Sequence, residues 1–239
     1  WTLDGFSERV GGLDLFPAGP PQEEFFRPYR RWAFESAALD LALRQAGSSL
    51  GEALGRRYSP VRFVLSTRLD IKPWLAVDPC LEFKLDPTPE WDERLMREIA
   101  ATGRVRQLDF KAFYEGSPVD NPPDPLQYRL VSEVFPDAVL EDPALEGPAR
   151  EALRGQEARF SFDAPIHSWA DVEATSARVA AACDPECDRF ALGRLNIKPS
   201  RFGSLRALLD CVERAQAAGM VLYGGGQFEL GIGRDQIQA

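Results

Sequence analysis

Five short apolar runs, CLEFK, VRQLDFK, DAVLED, ARFSFD and GRLNIK, carry a charged residue at or next to their C-terminal ends: Lys84, Asp109, Glu141, Asp163 and Lys198. Between and after them lie segments such as EWDERLMREIAATG and SLRALLDCVERAQAAG, with apolar residues at helical spacing. Strands that alternate with helices form parallel sheets, and strands that are apolar throughout belong to a sheet buried on both faces. In a parallel (β/α) barrel, the C-terminal strand ends are where catalytic groups collect. Charges buried at five such ends are costly unless they act together. The pattern therefore points to an enzyme site inside a barrel.

The rest of the chain fits around this core. Residues 1–28 are rich in Gly and Pro with scattered aromatics and read as an irregular lead-in. From Tyr29, YRRWAFESAALDLALRQAG reads as a helix rich in Ala and Leu that Gly47 stops, and SLGEALGRR as a short second helix. VRFVLSTRL, residues 61–69, reads as the first barrel strand, and MVLYGGG begins the seventh. A barrel has eight strands, so the eighth is expected beyond Ala239; the start without Met and the stop after RDQIQA fit a longer gene product. The rival architecture, an open doubly wound sheet, should show a Gly-rich phosphate fingerprint after its first strand, and none is present.

Composition excludes several function classes. With 28 basic against 37 acidic residues the formal charge is -9, and there is no basic tract, so neither nucleic acid nor an anionic membrane is an expected partner. No apolar run approaches the roughly 20 residues of a membrane span, and WTLDGFSERV lacks the layout of a signal peptide. Four scattered cysteines do not make a disulfide framework, which makes cytoplasmic residence the expectation. Cys183 and Cys187 have the look of half a metal site, but no second pair follows, and zinc is not expected. His167 is the single histidine; a Ser-His-Asp triad would need it as base, and it reads better as a loop or interface residue.

Asp109, Glu141 and Asp163, on successive strands, would converge on one point, and three hard oxygen donors suit Mg²⁺. The plainer reading is that Glu141 and Asp163 cap the helices after them. Three such carboxylates bracketed by Lys84 and Lys198 weigh against it. A lysine serves as a base once desolvation or a nearby cation lowers its pKa from about 10.4 towards neutrality. Placed opposite one another, Lys84 and Lys198 can flank a substrate carbon, one removing the proton α to a carboxylate while a metal neutralises the enediolate formed. Strand alternation puts Glu82 on the side of Lys84, and Lys111 on the side of Asp109. Ser66 and Arg68 near the first strand end, Gly225 within Gly224–Gly226, and Glu229 are further positions that can meet substrate, and Arg68 fits a solvated loop charge equally well. The glycines serve equally well as a tight bend.

RRWAFESAALDLALRQAG is similar to the helix that leads into the barrel of mandelate racemase and muconate-lactonizing enzymes of the enolase superfamily, and LNIKPSRFGSL followed by GGGQFELGIGR resembles their sixth and seventh strand regions. The resemblance runs from about Tyr29 to the end. It implies an α/β fold: a (β/α) barrel of the enolase C-terminal type over residues 29–239, incomplete by its last strand, with residues 1–28 the remnant of an N-terminal capping domain. By position it implies Lys84 and Lys198 as catalytic lysines and Asp109, Glu141 and Asp163 as Mg²⁺ ligands. The lysine-bearing subgroup includes o-succinylbenzoate synthase, muconate cycloisomerase and dipeptide epimerases. The implied chemistry is thus dehydration, cycloisomerisation or epimerisation of a small-molecule carboxylate, with elimination of the o-succinylbenzoate synthase kind slightly ahead, and the implied assembly is a homo-oligomer. Three positions depart from the family pattern: Glu82 stands where a lysine is usual, Lys111 where Asn is usual, and Ala164 where Glu is usual. An inward Lys111 within about 5 Å of the carboxylates competes with Mg²⁺ or substitutes for it. These departures favour the alternative, a catalytically inactive barrel that acts as a binding or scaffold protein.

Overall fold

The computed structural model describes residues 1–181, 192–227 and 229–238, so Cys183 and Cys187 lie outside the described residues. By its internal contacts the chain divides into two units, one of Trp1–Val61, Ile166–Val172 and Asn196–Ala239, the other of Arg62–Pro165 and Glu173–Leu195. No helix among the described residues is long and apolar enough to cross a membrane.

The first unit opens with a helix where an irregular lead-in was expected. α1, Leu3–Gly11, is started by Thr2, whose side chain accepts from the Gly5 N–H, and carries Asp4 in its first turn and Arg9 in its last. Good end chemistry of this kind offsets its glycines. α2, Phe26–Ala46, is the expected Ala- and Leu-rich helix. It ends at Gly47 in the left-handed conformation (φ 61°), with the Ser48 N–H reaching back to the Leu43 carbonyl. α3, Leu50–Ala53, is a single turn closed by a reciprocal capping box between Ser49 and Glu52.

The second unit holds most of the sheet. β1, Leu65–Thr67, is shorter than the run 61–69 suggested. Next come α4 (Lys72–Val77), β2 (Phe83–Leu85), α5 (Glu93–Ala101), β3 (Val105–Asp109), α6 (Pro125–Val134), β4 (Val139–Glu141), α7 (Gly147–Ala152) and β5 (Phe160–Phe162). α8, Trp169–Ala181, precedes β6, Arg194–Ile197. Every strand pair from β1 to β6 is parallel. Among the described residues the sheet has seven strands in the order β1-β2-β3-β4-β5-β6-β7. An order that never reverses has no switch point, which separates it from a doubly wound sheet and matches the winding of a (β/α) barrel.

Residue type explains the core of this unit. Phe83, Leu108, Phe110, Leu140, Phe160 and Phe162 are wholly buried along the strands, and Met96, Tyr128 and Val131 are wholly buried on the helices. Burying one such side chain contributes about 1.5–3 kcal/mol. Asp92 and Asp124 start α5 and α6 by accepting from the N–H groups of Leu95 and Leu126. The Tyr128 ring stacks 4.0 Å from that of Phe110, and its hydroxyl accepts from the Ala144 N–H.

Two details set the register. Phe83 pairs with Val105 but Lys84 pairs with Gln107, so Arg106 is an extra residue on β3. That bulge leaves Arg106 free to meet Glu82, which also takes the Arg62 guanidinium in a close two-pronged ion pair. Beyond the bulge the strands stay in step: Leu85 faces Leu108, and Asp109 faces Glu141.

The first unit resumes after β6 with α9 (Pro199–Phe202), α10 (Leu205–Ala217), β7 (Val221–Gly224) and α11 (Ile232–Gln238). Glu35 on α2, only 1% exposed, gathers this unit: it accepts from the Ser7 hydroxyl of α1 at 2.7 Å, from Arg31 at 2.8 Å, and from the Leu205 N–H that opens α10 at 2.8 Å.

Glu35→Ala is expected to destabilise the protein by about 2–3 kcal/mol in urea denaturation, since it strips partners from three donors at once. A second prediction concerns acid. Hydrogen bonds from Arg62 and then Arg106 hold Glu82 at about 2, below its ordinary 4.5. A lowered carboxylate pKa stabilises the fold above the unfolded value, and this stabilisation is lost as pH falls through the folded value. Glu82→Gln should therefore lower stability at neutral pH and flatten the stability profile between pH 4.5 and 2, measured by denaturant titration at stepped pH.

Candidate active site

The second unit brings four expected residues together. Asp109 ends β3, Glu141 ends β4 in direct register with it, and Asp163 follows β5; all three are fully buried. Lys84, in the middle of β2, sends its ammonium between two of them, 2.6 Å from Glu141 Oε1 and 2.8 Å from Asp109 Oδ2. Lys111 also contacts Asp109 Oδ2. It does so from beyond the strand end, with its backbone in the left-handed region at φ 57°. Asp109 Oδ1 accepts from the N–H of Lys111 itself.

The structure adds a carboxylate that strand reading overlooks. Asp142, next to Glu141, is fully buried and left-handed at φ 47°. Its two side-chain oxygens accept from the N–H groups of Asp163 (2.8 Å) and Ala164 (3.0 Å), which fixes the end of β5 against the end of β4. Asp109, Glu141 and Asp142 offer oxygens within 4.8 Å of one another. The signal in the sequence was the acidic pair in VLEDP, whose second member reads as a turn residue.

The remaining positions divide between the units. Ser66, exposed on β1, lies in register with Lys84. Arg68 does not stand as a solvated loop charge: it pairs with Asp86 at 2.7 Å and donates to the Val119 carbonyl at 2.7 Å. In the first unit, Lys198 directly follows β6 and immediately precedes α9. Gly225 donates its N–H to the Ile197 carbonyl at 3.3 Å, and a Cβ there would lie 3.8 Å from Lys198 Cε. Glu229 accepts from the Gln227 N–H at 2.6 Å.

Burial and charge act against each other in the cluster. Burial alone pulls the Lys84 pKa down, but Glu141, Asp109 and Asp163 together raise it well above its ordinary value, so it stands as an ammonium ion. Burial pushes Asp109 up, yet Lys84 and Lys111 prevail and keep it below its usual range. Burial raises Asp142 well above the carboxylate range, and the charges of Asp109, Asp163 and Glu141 add to the effect. Four carboxylates (Asp109, Glu141, Asp142, Asp163) less two ammonium groups (Lys84, Lys111) leave two surplus negative charges when all are ionised. Buried hard oxygens fit a divalent cation such as Mg²⁺ in donor chemistry, and such a cation would favour the ionised forms of Glu141 and Asp142, which burial alone disfavours.

A sequentially wound parallel sheet is the winding of a (β/α) barrel, and solved structures share this fold. A dipeptide epimerase from Methylococcus capsulatus, in complex with Mg ion, superimposes with a TM-score of 0.67 at 21% identity over 98% of this chain and 65% of its own. An enolase-superfamily member from Listeria innocua gives 0.63 at 18% over 96% and 59%, and the muconate lactonizing enzyme from Pseudomonas putida 0.62 at 20% over 97% and 62%. The chain spans less than two thirds of the length of each. At these identities the likeness is one of fold. By sequence, the chain belongs to the family described as Domain of unknown function (DUF8230), whose C-terminal domain matches residues 57–239 and whose N-terminal domain matches residues 1–53. No curated protein matches it.

Lys84→Met should cost about 3–5 kcal/mol of stability, because Asp109 and Glu141 would be left buried without their shared cation. Equilibrium unfolding in urea measures this directly.

Proposed function

We propose that this chain forms the barrel part of an enzyme that removes the proton α to the carboxylate of a small-molecule substrate, completing a dehydration, a cycloisomerisation or an epimerisation in the cytoplasm. The observation that supports it best is the Lys84 ammonium between Asp109 and Glu141, whose oxygens cluster with those of Asp142. Asp109 and Glu141 would hold Mg²⁺, with Asp142 or Asp163 as the third ligand. A bound Mg²⁺ would supply positive charge to the deprotonated carboxylate.

The residues of the chain take the remaining roles. Lys84, held as an ammonium ion, suits the stabilisation of negative charge on the substrate. Lys198 is the proposed base. Ser66, Gly225 and Glu229 are proposed to border the substrate, and Asp142 keeps Asp163 in position through its backbone. By resemblance, elimination of the o-succinylbenzoate synthase kind is the first outcome to test. The lysine contacts on Asp109 favour a second reading, a catalytically inactive barrel that binds a partner or acts as a scaffold.

Calorimetric titration with Mg²⁺ and deuterium exchange separate the two. The enzyme reading expects Mg²⁺ binding in the micromolar to millimolar range that Asp142→Asn or Asp163→Asn abolishes, and incorporation of solvent deuterium α to the carboxylate of a candidate acid, lost in both Lys84→Ala and Lys198→Ala. Retained exchange in either lysine variant would overturn the assigned roles. Absence of both binding and exchange would leave the scaffold reading.

A further inference from the structure

We infer that Lys111 is a tethered counter-cation: it neutralises Asp109 while no divalent ion is bound, keeps the cation-free cluster stable, and lowers the affinity of the cluster for a divalent ion. The inference rests on the proposed Mg²⁺ site and deepens it by assigning a residue that sets its loading.

The geometry is specific to this residue. β3 stops at Asp109, so strand alternation no longer decides where a lysine two positions on points. The left-handed backbone at φ 57° turns it back, a conformation that residues with a Cβ adopt rarely. The ammonium arrives on Asp109 Oδ2, the oxygen that Lys84 already contacts at 2.8 Å, while the other oxygen takes the Lys111 N–H. Both oxygens of Asp109 are thereby engaged. The ammonium also lies 4.9 Å from the centre of the Tyr114 ring, and the side chain is 15% exposed. Cation–π contact and burial hold it over the cluster. A divalent ion that ligates Asp109 must displace this ammonium or sit beside it, and like charges a few ångströms apart in a buried site repel strongly. Without such an ion, loss of the ammonium would remove one of the two cations that Asp109 contacts and leave one more negative charge uncompensated.

The two consequences have opposite signs, which makes them separable. Lys111→Asn keeps a residue that tolerates the left-handed backbone, and Lys111→Gly takes that backbone without strain. Both variants, with Lys111→Arg as the charge-retaining control, are titrated with Mg²⁺ by calorimetry and melted in EDTA and in excess Mg²⁺. Expected are at least tenfold tighter Mg²⁺ binding in Lys111→Asn and Lys111→Gly, a lower melting temperature than wild type in EDTA, and a larger rise on adding Mg²⁺; Lys111→Arg should follow wild type. If wild type binds Mg²⁺, Asp142→Asn abolishes it, and the two neutral variants bind no more tightly, the role of Lys111 is refuted while the metal site stands. If neither wild type nor the neutral variants bind Mg²⁺, both fall.

Discussion

The second unit depends on one buried cation shared by two carboxylates. Three neighbouring strands end in carboxylates that no solvent reaches, and the ammonium of Lys84 between Asp109 and Glu141 is what makes that arrangement tolerable. Removing charges from water carries a penalty of several kcal/mol per ion, repaid only by close opposite charge and hydrogen bonds. The surrounding aromatic core deepens the penalty and strengthens the attraction at once, because both scale inversely with the local dielectric. Packing and chemistry are therefore not independent here. The phenylalanines that bury the strands also fix how strongly the lysines are held.

Strand ends were legible because a charged residue closing an apolar run is rare enough to stand out, and the structure sets Asp109 in register with Glu141. Lys111 was placed beside Asp109 by alternation, and the two do meet, but through a left-handed turn after the strand has ended, where pleat geometry no longer applies. Asp142 escaped notice for a related reason: its role comes from tertiary contacts to the N–H groups of Asp163 and Ala164, some twenty residues away in sequence. Short-range patterns carry no trace of such a contact.

The helices show the same division. α2 declares itself through Ala, Leu and a terminal Gly, and α5, α8 and α10 through apolar periodicity. α4 and α9 span six and four residues, too few turns for a period to register. α1 was hidden by the glycines within and after it, whereas its end chemistry, Thr2 and Asp4 at the start and Arg9 near the close, was there to be read. Arg68 was read as either a substrate contact or a loop charge, and its two bonds instead tie Asp86 to the segment carrying Val119.

The extra residue in β3 bears on how relatives of this chain can be compared. Because Arg106 is accommodated by a bulge, the lower rungs of β2 and β3 are counted differently from the upper ones. Against a relative that lacks the extra residue, an alignment that forbids gaps inside strands would match either the Val105 end or the Asp109 end of β3, never both. Positions near Lys84 are thus best numbered backwards from the strand ends, and a relative with one residue fewer before Gln107 can still carry the same charged cluster unchanged.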